Sequence, residues 1–152
     1  MSSLASTWVL HRAELDALVR TAQTSGIDEM WEVLLARPRV TLRWSGWVMI
    51  EALDFLRIRG VPLLSLPLRA EELALSEVTE STWLVITPDA HRHLDQFDPE
   101  AYTDSELEYL AEEGEASFEP TRDALAMRDA LAMLHDGVAS LADDQILLLT
   151  VG

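Results

Sequence analysis

The segment Val40–Gly60, VTLRWSGWVMIEALDFLRIRG, is the longest strongly apolar stretch of the chain and reads as an extended lead-in followed by a buried helix. At about 100° per residue, Val48, Met49, Ala52, Leu53, Phe55 and Leu56 fall on one broad apolar arc, with Glu51, Asp54 and Arg57 gathered opposite. One wide face is thereby committed to a core. Ser45 is placed to cap the first free amides, Gly60 suits the left-handed residue after the last turn, and Pro62 keeps the helix from restarting. All of this is folding information, and none of it is chemistry.

Upstream, Thr7–Leu10 is expected as a short strand, and from His11 the spacing turns helical, with Leu15, Leu18, Val19 and Ala22 three and four apart. Gly26 ends that helix. Ile27, Met30, Trp31, Leu34 and Leu35 then share one face of a second helix, which Arg37 and Pro38 close. The two are expected to pair antiparallel and to pack on the central helix. Downstream, Pro62 and Pro67 exclude an interior strand and mark residues 61–81 as a mobile connector, with one or two helical turns over Arg69–Leu75.

Trp83–Ile86 is a compact run of β-formers leading into Thr87 as a cap and Pro88 as the first residue of a helix reaching about Phe97. Thr103-Asp104-Ser105-Glu106 matches the capping box ahead of a helix over residues 104–113, ended by Gly114. An acidic linker at 115–120 precedes a long helix capped by Thr121, in which RDALAM occurs at 122–127 and again at 128–133. A six-residue step turns a helix by about 600°, so the two copies do not share a face. Asp136 and Gly137 are expected to break or bend this helix. Ile146–Val151, ILLLTV, is apolar at nearly every position and belongs inside a sheet covered on both faces.

The fold expected is therefore α+β: a single domain over residues 1–152, with five or six helices on a small mixed sheet. Its strands are Thr7–Leu10, Val40–Arg43, Trp83–Ile86 and, inside the sheet, the C-terminal Ile146–Val151. A chain of 152 residues buries roughly 70% of its unfolded surface, enough for a real core. With no cysteine, disulfides, thiolate metal sites and a cysteine nucleophile are excluded. His11, Arg12, Glu14 and Asp16 interrupt any leader-like apolar run, and no apolar run is long enough to span a bilayer. A cytoplasmic protein is expected. All eleven basic residues are arginine, and lysine and asparagine are both absent, which suits a GC-rich bacterial genome.

Charge is the most uneven property. Residues 1–70 hold eight arginines against seven acids, a net +1, whereas residues 71–152 hold three arginines against twenty acids, a net −17. Between Asp98 and Glu119 nine acids occur without one basic residue. A total of −16 repels phosphates, so direct nucleic-acid binding is not expected. The run reads either as a solvated face or as a docking surface for a basic protein. Tyr102 and Tyr109, interleaved with Glu106, Glu112, Glu113 and Glu115, favour an interface over plain solubilisation. A second candidate site is an anion or small-ligand cleft near Arg37–Arg59, built from Arg39, Arg43, Trp44, Arg57 and Arg59. Against it, such arginines usually pair with a protein's own acids, of which this chain has a surplus. Of the five tryptophans, Trp44 is the one expected to be exposed.

Little in the chain points to catalysis or to a metal site. His91 and His93 lie about 200° apart on a helix and do not share an ion, and His91 with Asp95 makes a hydrogen-bonded pair more readily than a metal site. His11 and His135 stand singly on helices and read as structural. No P-loop, G-x-S-x-G, G-x-G-x-x-G, H-E-x-x-H or EF-hand pattern occurs, so no catalytic residue, cofactor or metal is assigned.

The order of elements resembles the YfbM-like family of small bacterial proteins: WVLHRAELDALV, then IDEMWEVLL, then WLVITPDAHRHL, then ALAMLHDGVASLADDQILLLTV at the end. The resemblance covers most of the chain. It implies an α+β fold and no catalytic residues. The functional expectation is a non-enzymatic interaction protein, immunity-like or regulatory, whose acidic C-terminal half meets a basic partner. The alternative is a small enzyme or ligand-binding protein using the arginine cleft. The sequence leaves the oligomeric state open.

Overall fold

The computed structural model describes the backbone of residues 3–61, 63, 69–113 and 120–152, and the side chains of all of these except 109–113 and 120–123. Four strands form one sheet: β1 (Ala5–His11), β2 (Val40–Thr41), β3 (Thr82–Ile86) and β4 (Gln145–Val151). Around them stand α1 (Arg12–Thr24), α2 (Ile27–Leu35), α3 (Gly46–Ile58), α4 (Arg69–Thr79), α5 (Leu94–Phe97), α6 (Asp104–Glu113) and α7 (Pro120–Ala139), with 3-10 turns at Pro88–His93 and Pro99–Ala101. The architecture is α+β.

The sheet order is β2-β1-β4-β3, which puts the C-terminal strand between two neighbours, as its uninterrupted apolar run predicts. Every pairing is antiparallel, so the expected mixed sheet is corrected. An apolar strand reads the same in either direction, and direction is set by the connections. Here the helical excursion after Ile86 returns to the end of the sheet that it left, because Ile86 pairs with Leu147.

Alternation along β4 divides the core. Leu147, Leu149 and Val151 join α3, α5, α6 and α7 on one face, through Phe55, Phe97, Leu107 and Leu134. Ile146 and Leu148 join Trp8, Leu10, Trp83 and Val85 on the other, covered by Leu15, Leu18, Met30, Leu34 and Leu75 of α1, α2 and α4. The expectation that α1 and α2 pack on the central helix is thus corrected, since the sheet separates them from α3. Amphipathicity states that a helix buries a face but not against which layer. On α2, Ile27 and Leu35 are exposed rather than buried, while Met30 and Leu34 carry the contact. Trp8, Trp31 and Trp83 form a triangle with ring centroids 6.3, 6.4 and 5.6 Å apart, within the range of favourable aromatic pairing.

The central helix follows its sequence closely. Val48, Met49, Ala52, Phe55 and Leu56 are buried, and the Ser45 hydroxyl accepts from the Trp47 amide at 3.4 Å. At the far end Gly60 has φ +81°, its amide reaches Arg57 O (3.0 Å), and the Val61 amide reaches Leu56 O (3.0 Å). Those two bonds make a Schellman motif, completed by the buried Val61 side chain.

The remaining departures are local. The strand at 40 is two residues long. Extending its register places Pro38 opposite Val9, where proline has no amide to donate. Thr87 is extended and its hydroxyl makes no cap bond, although Pro88 does open the following turn. The helix expected to start after Thr121 begins at Pro120, so Thr121 lies within its first turn. Asp136 and Gly137 do not break α7. A Cβ on Gly137 would come within 2.8 Å of a Leu147 methyl, so the glycine permits close approach of helix to strand. In the repeat, Leu125 is exposed and Leu131 fully buried, as the 600° rotation requires. The helix at 69 runs to Thr79, beyond the one or two turns expected, and with α5 makes seven α-helices among the described residues rather than five or six. Of the proline-marked connector at 61–81, residues 62 and 64–68 lie outside the described residues, and α4 takes up most of the rest. No helix among the described residues is long and apolar enough to cross a membrane.

Candidate docking surface

The acidic run begins with a turn that its own residues cap. The Asp98 carboxylate accepts from the Glu100 amide at 2.9 Å, opening the 3-10 turn. The capping box then forms: Thr103 Oγ1 accepts from the Glu106 amide (3.2 Å) and the Glu106 carboxylate accepts from the Thr103 amide (3.0 Å). Leu107, one residue on, is fully buried and fixes which side of α6 faces the core.

Two arginines fasten this start to the body. Arg59 reaches Glu106 Oε2 at 3.1 Å and lies over both the Phe55 ring (4.5 Å) and the Tyr102 ring (5.0 Å). Arg128, from α7, donates to Pro99 O (2.5 Å), Tyr102 O (2.9 Å) and Asp104 Oδ1 (2.7 Å). Tyr102 meets Phe55 edge-on at 4.8 Å and donates its hydroxyl to Gln96 O at 2.6 Å. Of the six residues proposed for partner contact, Tyr102 and Glu106 therefore serve the fold. The side chains of Tyr109, Glu112 and Glu113, and all of Glu115, lie outside the described residues. The T-x-x-E signature already marked Glu106 as a capping residue, whereas Arg128 carries no comparable signal, because its partners are 24 to 29 positions away.

The arginine cluster does not converge. Arg37 pairs with Glu14, Arg43 with Asp129, Arg57 with Asp54 and Arg59 with Glu106, the internal pairing that the acid surplus predicts. Arg39 is exposed, with no ion-pair partner among the described residues. Trp44 is half-buried rather than exposed, because its indole N–H donates to Asp129 Oδ2 at 2.7 Å. Trp47, at 63% exposure, is the tryptophan that faces solvent.

The histidines also diverge. His91 Nε2 donates to Val138 O (2.7 Å), a carbonyl in the last turn of α7 that also accepts from the Leu141 amide, while His93 Nδ1 meets Gln96 Oε1 (2.8 Å). Among the described residues no group of three His, Asp or Glu side chains is arranged to hold a metal ion. A shallow cleft of about 320 Å³ lies where β3 and β4 meet the loops, lined by Arg12, Thr87, Asp89, Asp143 and Asp144. None of the arginines between 37 and 59 lines it. No protein-family model, no curated protein and no solved structure matches this chain.

The start of α6 should respond to pH at both extremes. The Thr103 amide foremost, then its hydroxyl and the Arg59 guanidinium, hold Glu106 below the usual carboxylate range against an opposing push from desolvation. A depressed folded pKa contributes stability above the unfolded value of about 4.3 and loses it as pH falls through the folded one. Burial, with a smaller push from Glu106, raises the Tyr102 phenol, while Arg59 opposes. Its contribution is present below the unfolded value, about 10, and disappears as pH rises through the folded one. In urea titrations the stability difference between wild type and Glu106→Gln should be constant from neutral pH to about 5, then shrink on acidification. A difference independent of pH down to about 2 would refute the carboxylate's role.

Proposed function

We propose that this protein is a non-enzymatic interaction protein, immunity-like or regulatory, which meets a basic partner through the acids that follow the first turn of α6. One observation carries the reading. Five of the ten residues of α6 are acidic, and among the described side chains the chain's own arginines meet those of the first turn, Asp104 and Glu106. Glu108 has no ion-pair partner among the described residues, and Glu112 and Glu113 follow it in sequence. Uncompensated charge of one sign on a helix anchored to a rigid body steers an oppositely charged partner and sets its orientation. The alternative, an anion cleft among Arg39, Arg43, Trp44, Arg57 and Arg59, is disfavoured because three of its four arginines and its tryptophan are engaged with Asp54, Glu106 and Asp129. The lysine-free, cysteine-free composition supports a bacterial cytoplasmic setting, and the YfbM-like order of elements assigns no catalytic residue.

The test neutralises Glu108, Glu112 and Glu113 to glutamine and leaves Glu106 intact, since losing Glu106 would unfasten the helix as well as remove charge. Association with a synthetic Lys/Arg peptide is followed at low salt and at about 0.5 M salt. The triple variant should associate about tenfold more slowly at low salt, and the two proteins should converge when the charges are screened. Equal rates at both salts, with unchanged stability, would reject docking and leave a solvated face.

A further inference from the structure

Glu72 is a carboxylate on α4 with 1% of its surface exposed, and it takes no part in the acidic run or the arginine cluster. Its Oε1 accepts from the Val85 amide at 3.1 Å and its Oε2 from Arg69 at 2.9 Å. Val85 belongs to β3, the outer strand of the sheet among the described residues. Leu4 and Gly152 exchange both backbone bonds, so the even-numbered residues of β4 face β1 and the odd-numbered ones face β3. The residues of β3 bonded to β4 are therefore Thr82, Leu84 and Ile86, and the polar groups of Trp83 and Val85 point outward. Glu72 supplies the acceptor that a fifth strand would otherwise bring.

The two sheet edges are guarded differently. On the β2 side the strand is two residues long and lies between Arg39 and Arg43, with Pro38 ending it, all of which discourage strand addition. The β3 segment, TWLVI, contains no charge and no proline and is built from strong β-formers. We infer that Glu72 closes the β3 edge, and that without its carboxylate oxygen this edge pairs antiparallel with β3 of a second copy of the chain. Such pairing is self-complementary about a two-fold axis, because TWLVI then faces itself.

Two substitutions separate the hydrogen bond from the charge. Glu72→Gln keeps an oxygen for the Val85 amide and loses the Arg69 ion pair, whereas Glu72→Ala loses both. Leu34→Ala, a fully buried change on the same face of the sheet, controls for loss of stability alone. By sedimentation, Glu72→Ala should self-associate about tenfold more tightly than wild type, Glu72→Gln and Leu34→Ala, since only it leaves the amide unsatisfied. Hydrogen exchange at Val85 should be slow in wild type and slow again in the associated Glu72→Ala protein. Association of Leu34→Ala or Glu72→Gln to the same degree, or none by Glu72→Ala, would overturn the inference. If Glu72→Ala fails to fold, wild-type exchange decides: a Val85 amide that exchanges as fast as an open edge contradicts the plug, and one protected like the sheet interior supports it.

Discussion

Deletion of Ile146–Gly152 is expected to leave a chain with no cooperative unfolding transition. The deleted strand supplies Ile146, Leu147, Leu148, Leu149 and Val151, all buried and shared between the two core layers. At about 1.5–3 kcal/mol for each large apolar side chain, their removal forfeits on the order of 10 kcal/mol, comparable to the whole stability of a domain this size. It also leaves the ladder groups of both β1 and β3 without partners, because β4 lies between them. Circular dichroism during urea titration is the measurement. A truncated protein with a native-like transition and an unchanged denaturant slope would contradict the position of β4.

Phe55→Ala should be the most damaging single substitution in the central helix, at about 3–5 kcal/mol. Phe55 is fully buried, holds the edge of Tyr102 at 4.8 Å and lies beneath the Arg59 guanidinium at 4.5 Å. Its loss opens a cavity and loosens the contacts that fasten the start of α6. Ile58, three residues along the same helix but 59% exposed, provides the comparison: Ile58→Ala should change stability by no more than about 0.5 kcal/mol. A Phe55→Ala cost below about 1 kcal/mol in denaturant unfolding would show that this helix face is not the core face.

The acidic helix shows how a site read from sequence changes when the chain is folded. Counting charges between Asp98 and Glu119 treats each carboxylate as equally available. In the fold, Glu106 is divided between Thr103 and Arg59, and Asp104 is held by Arg128, so among the described residues the acids of the first turn of α6 are compensated. The arginine cluster changes the same way, since Arg43 and Trp44 both converge on Asp129 of α7.

Properties carried by near neighbours along the chain were legible without a structure. The Ser45 cap, the Gly60 stop, the Thr103–Glu106 box and the four strands depend on spacings of one to four residues, where backbone geometry leaves few alternatives. The interior position of Ile146–Val151 was legible for a related reason, because a strand apolar on both faces is stable only when both are covered. Strand direction, the side of the sheet on which α1 and α2 lie, the partners of Arg59 and Arg128 and the use of Glu72 at the β3 edge belong to the tertiary structure alone. Hydrophobic burial is non-directional: an amphipathic pattern specifies that a face is covered, and only the packed chain decides by what.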